Sequence, residues 1–227
     1  MYETKPWLKF YDYNVPQTIQ YPHIPVQSFV HLAAATYPHK AATNIYGSTL
    51  TFRQLRAQIL RMANALVQLG VKKGDCVGLA LPNCPQYIIA YYAALSAGAV
   101  VVNMNPLYTH DELKFMMENT GVRTLFTFDM VLPVMRPLAN ELGIKNVIVT
   151  KVTDYIQGFP VSTAKELELE EGWKHFSQII ETTTSEKMPR VDVGSDDPAL
   201  IQFTGGTTGL PKGALLSHAN VVKATFQ

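Results

Sequence analysis

Short apolar runs alternate along this chain with longer segments in which apolar residues recur at steps of three and four. The clearest long segment carries Phe52, Leu55, Ile59, Met62, Leu66 and Leu69, a spacing that sets all six on one face of a helix. Thr51 and Gln54 make a capping box in front of it, and Gly70 supplies the stop. Before it, 26–37 reads as a short helix and 41–46 as a strand, with Gly47-Ser48 turning the chain. After it comes a strand over 75–81, then Pro85 in the first turn of a helix whose core, 87–95, is apolar almost all round and is predicted to be buried on most sides. A strand over 99–103 follows. Thr109 with Glu112 forms a second capping box, opening a helix that closes at Asn119-Thr120-Gly121. Strands over 123–128 and 145–150 flank a helix over 131–142.

Short strands alternating with helices of ten to twenty residues predict an α/β fold of βαβ units, a mostly parallel sheet flanked by helices. The alternation lapses over 151–190, where an acidic run (Glu166, Glu168, Glu170, Glu171) precedes a short helix over 173–180 and the polar 182–186. We read this as a surface excursion and the acidic run as a solvated face. Residues 1–25 mix Trp7, Phe10, Tyr11, Tyr13 and Tyr21 with four prolines, which suits an extended arm laid over the surface of its own domain. The predicted organisation is therefore the arm over 1–25, an α/β subdomain over 26–190 with its excursion at 151–190, and the start of a second subdomain over 191–227.

Composition narrows the class of protein without naming it. Hydrophobic residues at 47% and charged residues at 16% describe a folded globular chain rather than a disordered one. A net charge of +1 and the lack of a basic run give no reason to expect a nucleic-acid partner. Cys76 and Cys84 form neither a disulfide framework nor a zinc spacing, so they read as reduced thiols in a cytoplasmic protein. The first twenty residues hold no long apolar block of the kind a secretion signal needs. The longest apolar region, 88–102, is broken by Ser96-Ala97-Gly98 and is short for a membrane span, so no transmembrane segment is expected. Peripheral membrane contact through the arm and homo-oligomerisation stay open.

The candidate chemistry lies in 198–219. An apolar run, Pro198 to Phe203, ends in Thr204-Gly205-Gly206-Thr207-Thr208-Gly209-Leu210-Pro211-Lys212-Gly213 and returns to apolar character at 214–216. Four glycines and three threonines in those ten residues cannot pack a core. They can turn several backbone N–H groups to one concave side, where an anion is favoured. The threonine hydroxyls add neutral donors and Lys212 adds a positive charge, so the stretch reads as a polyphosphate cradle. A Walker A loop requires Gly-Lys-Ser/Thr, and here Lys212 is followed by Gly213. The dinucleotide fingerprint fails because position 204 is threonine. Arg53, Arg56 and Arg61 read as a solvated helix face. His218 reads as a structural or capping group at a helix start. The remaining histidines show no ligand spacing, so no metal site built from side chains is expected.

The residues from Thr204 to Gly213 fit the pattern [ST]-[SG]-G-[ST]-[ST]-G-x-P-K-G and resemble the phosphate loop of the adenylate-forming superfamily, which includes acyl-CoA synthetases, luciferases and peptide-synthetase adenylation domains. Leu50-Thr-Phe-Arg-Gln-Leu55, Leu95-Ser-Ala-Gly98 and Asn105-Pro-Leu-Tyr-Thr109 are similar to further segments of that superfamily. Gly205 in place of serine, and the opening Lys5-Pro-Trp-Leu-Lys-Phe-Tyr11, resemble the bacterial long-chain fatty acyl-CoA ligases in particular.

The resemblance implies an ATP-dependent acid–thiol ligase. A fatty acid or other carboxylic acid is adenylated to acyl-AMP with release of pyrophosphate, and the acyl group then passes to coenzyme A. It implies a phosphate-binding role for Thr204, Gly205, Gly206, Thr207, Thr208, Gly209 and Lys212, and Mg²⁺ held mainly by phosphate oxygens. It assigns no catalytic residue within these 227 residues, because superfamily members run to more than twice this length. The chain is therefore expected to be an amino-terminal piece that does not turn over alone. Two alternatives stand beside it: a ligase for a different carboxylic acid, and a non-catalytic phosphate- or partner-binding module.

Overall fold

The structure, a computed structural model, describes residues 5–156, 167–204 and 211–227. The predicted helices and strands form, most of them close to their expected bounds. In chain order they are α1 (Ser28–Thr36), the hairpin β1 (Ala41–Ile45) and β2 (Ser48–Thr51), α2 (Phe52–Gln68), β3 (Cys76–Leu79), α3 (Pro85–Ser96), β4 (Val100–Asn103), α4 (His110–Thr120), β5 (Thr124–Phe128), α5 (Leu132–Glu141) and β6 (Asn146–Thr150). They are followed by β7 (Lys174–His175), α6 (Phe176–Thr182), β8 (Pro198–Thr204), β9 (Lys212–Ser217) and α7 (His218–Phe226).

Both predicted capping boxes are present. Thr51 Oγ1 accepts from Gln54 N at 3.3 Å while Gln54 Oε1 accepts from Thr51 N at 2.9 Å, and Thr109 pairs with Glu112 in the same way. A third box, Ser217 with Asn220, opens α7. The helix expected over 173–180 is instead split: Lys174 and His175 pair with Ile148 and Val149 as a parallel edge strand, and the helix begins at Phe176. The strand expected over 75–81 starts one residue late, because the Asp75 carboxylate accepts from Lys72 N at 2.8 Å and closes a turn.

Seven strands form one sheet in the order β7-β6-β5-β3-β4-β8-β9, parallel throughout except for β9, which runs antiparallel to β8. From β3 the chain steps to β4 on one side and then resumes with β5 on the other. That reversal is the switch point of a doubly wound sheet. The predicted subdomain division at 190 falls between strands of this one sheet, since β8 is hydrogen-bonded to β4.

Period-two alternation divides the buried strands between two cores. Val77, Leu79, Val101, Phe126 and Ile148 face α1, α2, α3, α6 and α7. Val102, Leu125, Val147 and Val149 face α4 and α5. Helices cover both faces, and this is why the strands read as unbroken apolar runs. At the α3–β4 turn, Gly98 holds φ +78°, and a Cβ there would meet Val191 Cγ1 at 2.6 Å. That turn needs glycine both for its backbone and for the approach of the segment leading to β8.

One reading of a polar residue changes. Arg61 is tied down: its guanidinium donates to Glu186 Oε1 at 2.7 Å and to Ile180 O at 3.3 Å, binding α2 to the returning excursion. The end of the arm is anchored to the domain. Tyr21 packs against the first core with Lys223 over its ring at 4.7 Å, while Phe10 and Tyr13 stand exposed.

Candidate functional site

The β8–β9 hairpin brings Thr204 and Lys212 to the end of the sheet where β3, β4, β5 and β8 all end. Its register pairs Leu200 with Leu216, Gln202 with Ala214, and Thr204 with Lys212. Thr204 and Lys212 thus stand opposite each other where the two strands part, both exposed, with Thr204 Oγ1 donating to Lys212 O at 3.4 Å. Gly205, Gly206, Thr207, Thr208 and Gly209 lie outside the described residues. Of the predicted site residues, the structure brings together Thr204 and Lys212. Gly213 lets the hairpin close tightly: a Cβ there would sit 3.0 Å from Ile201 Cγ2 and 3.3 Å from Phe203 Cζ.

The hairpin is braced from behind. Asp197, just ahead of β8, accepts from Lys73 Nζ and from Gly194 N, each at 2.7 Å. The Lys73 contact, then the Gly194 N–H, hold the Asp197 carboxyl below its usual range. The carbonyls of Asp197 and Ser195 accept from His218 N and Ala219 N, satisfying donors that the first turn of α7 leaves open. His218 is buried, and its Nδ1 accepts from Val26 N at 3.1 Å, so it joins the hairpin's following helix to the start of the domain. Burial pushes its pKa down, which keeps the ring neutral and Nδ1 free to accept. The structural reading of His218 fits this geometry.

Beside the hairpin, a cleft of about 510 Å³ opens at the carboxyl ends of the parallel strands, next to the switch point. Leu79, Leu81, Met104 and Phe203 supply its apolar walls, and Asn83, Asn103, Asn105, Gln202, Tyr87 and Tyr108 supply its polar groups. Tyr87 Oη donates to Asn103 Oδ1 at 2.9 Å, and Asn103 Nδ2 donates to Gln202 Oε1 at 3.2 Å. Burial raises the Tyr87 phenol, with the Asn103 bond opposing, so the hydroxyl keeps its proton at neutral pH. This chain of bonds was not foreseen from sequence. Its signal is a polar residue at the end of an apolar strand, Val100-Val-Val-Asn103, and another inside the run Ala199-Leu-Ile-Gln-Phe203. A larger hollow of about 870 Å³ lies against α5 and Leu167, away from the hairpin.

Among the described residues, no group of three or more His, Cys, Asp or Glu stands close enough to hold a metal ion, and no helix is long and apolar enough to cross a membrane. Among the described residues, the hairpin offers the Thr204 hydroxyl and the exposed Lys212 amine.

Known proteins place this architecture. The chain is 33% identical over 235 residues to a long-chain-fatty-acid–CoA ligase of Bacillus subtilis, an alignment covering 99% of this chain and 42% of the relative. It is 31% identical to 4-coumarate–CoA ligase 2 of Oryza sativa, covering 96% of this chain and 37% of the relative. Among solved structures, a long-chain-fatty-acid-CoA ligase from Archaeoglobus fulgidus superposes with a TM-score of 0.74 at 26% identity, covering 94% of this chain and 40% of that one. The chain thus spans about two fifths of the length of the curated relatives it matches. The family model for AMP-binding enzymes matches residues 30–227, which takes in the whole seven-stranded sheet and the hairpin, and the chain belongs to that family.

Proposed function

We propose that this chain is the amino-terminal part of an AMP-forming acid–thiol ligase that activates a long-chain fatty acid with ATP and passes it to coenzyme A. The observation that carries the reading is the pairing of Thr204 with Lys212 at the mouth of a glycine- and threonine-rich segment, on the sheet edge where doubly wound folds bind ligands. In the first half-reaction a carboxylate oxygen attacks the α-phosphorus of ATP, the bond to the bridging oxygen breaks, and pyrophosphate leaves. Two anions must meet, so the protein's task is to align them and to offset their charge. Lys212 and Thr204, with Gly205, Gly206, Thr207, Thr208 and Gly209, hold the β- and γ-phosphates as they become the leaving group. In the second half-reaction the thiol of coenzyme A attacks the acyl carbonyl, AMP departs and the thiol proton is lost.

Mg²⁺ supplies charge neutralisation on the phosphates. It would be held mainly by phosphate oxygens. The fatty-acid preference is supported by the bacterial relative, by Gly205 and by the opening 5–11. The rice relative, named for a different acid, favours a second reading in which the same chemistry serves another carboxylic acid. We also propose that these 227 residues do not turn over by themselves.

Acid-dependent ATP–pyrophosphate exchange tests the proposal, run with a parent-length polypeptide and with the 227-residue chain, across straight-chain, aromatic and amino acids. Exchange that peaks with long straight-chain acids and is confined to the longer polypeptide is the expected result. A peak on aromatic acids would replace the substrate. Exchange by the short chain would overturn its predicted inactivity. No exchange at all would leave a phosphate- or partner-binding module.

A further inference from the structure

Side chains two apart on a strand share a face of the sheet, and so do cross-strand partners. Gln202 and Thr204 on β8 therefore lie on one face with Ala214 and Lys212 on β9, and Tyr87 reaches that face from α3 through Asn103, the register partner of Gln202. Leu200 and Leu216 fill the same face toward the core. Beyond them the face turns polar and exposed: Gln202, Thr204 and Lys212 are all open to solvent, and the small Ala214 leaves the Gln202 amide uncovered.

The bonds along this face run in one direction. A phenol that keeps its proton donates to Asn103 Oδ1, which turns Asn103 Nδ2 toward Gln202. Asn103 Nδ2 then occupies Gln202 Oε1 and commits that oxygen as an acceptor. The Gln202 Nε2 makes a long 3.4 Å bond to Phe203 O, and its second hydrogen has no partner among the described residues. An amide left to itself would offer an oxygen or a nitrogen with equal ease, and an oxygen would repel an anion.

We infer that Tyr87 and Asn103 are positioning residues that orient Gln202 as a further anion-facing donor, extending the Thr204–Lys212 site toward the cleft. The inference rests on the proposed phosphate role of the hairpin and deepens it. The ligand class is a polyphosphate or phosphate–acyl anhydride whose non-bridging oxygens reach past Thr204, and Gln202 adds a neutral donor where a second lysine would add repulsion to the first.

The test is a calorimetric titration of the 227-residue chain with inorganic pyrophosphate, with thermal melts of every variant. Gln202→Leu should weaken binding about tenfold, the scale of a hydrogen bond to a charged group, with its melting temperature unchanged because the side chain is exposed. Tyr87→Phe should weaken it by a smaller factor. The double variant Tyr87→Phe/Gln202→Leu should bind no worse than Gln202→Leu alone, which a merely structural role for Tyr87 does not predict. Wild-type affinity in Gln202→Leu, with binding lost in Lys212→Ala, overturns this inference and leaves the phosphate site standing. No binding by the wild type, or binding indifferent to Lys212→Ala, overturns the phosphate reading and the inference with it.

Discussion

Strands β3 to β6 and the β8–β9 hairpin belong to one sheet but live in opposite surroundings. Val77, Leu79, Val101, Val102, Leu125, Phe126, Val147 and Val149 are at most 1% exposed, covered by helices on both faces. On β9, by contrast, Lys212, Gly213, Ala214 and Leu215 are all exposed, and Leu215 reaches 60%. The inner strands are held by packing on both faces; the hairpin is held by the β4–β8 ladder and the buried Ala199, Leu200 and Phe203 of β8, and is braced at its base by Asp197, Lys73 and the first turn of α7. Polar groups that would be costly inside the sheet are free at its rim to meet a ligand. A fold and a site can thus share a sheet while answering to different residues, and perturbing each region separately checks that division.

The largest effect should come from the inner strands. Phe126 is fully buried and meets Phe176 edge-on with ring centroids 6.2 Å apart. Phe126→Ala should cost about 3–5 kcal/mol, the range for deleting a core aromatic, and be read as a fall in the urea midpoint with little change in slope. A loss below about 1 kcal/mol would mean that the first core is looser than its burial indicates.

Acid should act next, through His31 on α1 and His218 at the base of the hairpin. Burial, and then Arg56, hold the His31 pKa down to about 4, and burial likewise lowers that of His218 at the hairpin's base. Both folded values lie below the ordinary histidine value of about 6.5. Between about pH 6.5 and the folded values, the unfolded chain binds protons that the folded chain refuses, so stability falls as the pH is lowered through that window. Asp197, held below its usual range, gives up its contribution only at lower pH. Thermal melts from pH 7.5 to 4.5 should show a progressive fall, and a flat profile would contradict the neutral, buried state of these rings.

The same contrast explains what could be read in the sequence. The inner strands were legible because full burial writes itself as uninterrupted Val, Leu and Phe, and the helices because Thr51-x-x-Gln54 and Thr109-x-x-Glu112 announce their starts. Lys174–His175 was not legible as a strand: two residues on an edge carry no periodicity, and only their pairing with Ile148 and Val149 defines them. The grip of Arg61 on Glu186 spans 125 positions, which no local pattern encodes. At the hairpin, glycine and threonine density marked the loop and its lysine, whereas the Tyr87–Asn103–Gln202 chain joins three separate elements and emerges only when β4 and β8 come into register.

The most direct test of the division between fold and site is Lys212→Ala, melted and titrated with pyrophosphate beside the wild type. Lys212 is exposed, so its removal should change stability by no more than about 0.5 kcal/mol while pyrophosphate binding is lost. Binding retained at wild-type strength by a folded Lys212→Ala chain would contradict the central claim that the hairpin edge is a phosphate site.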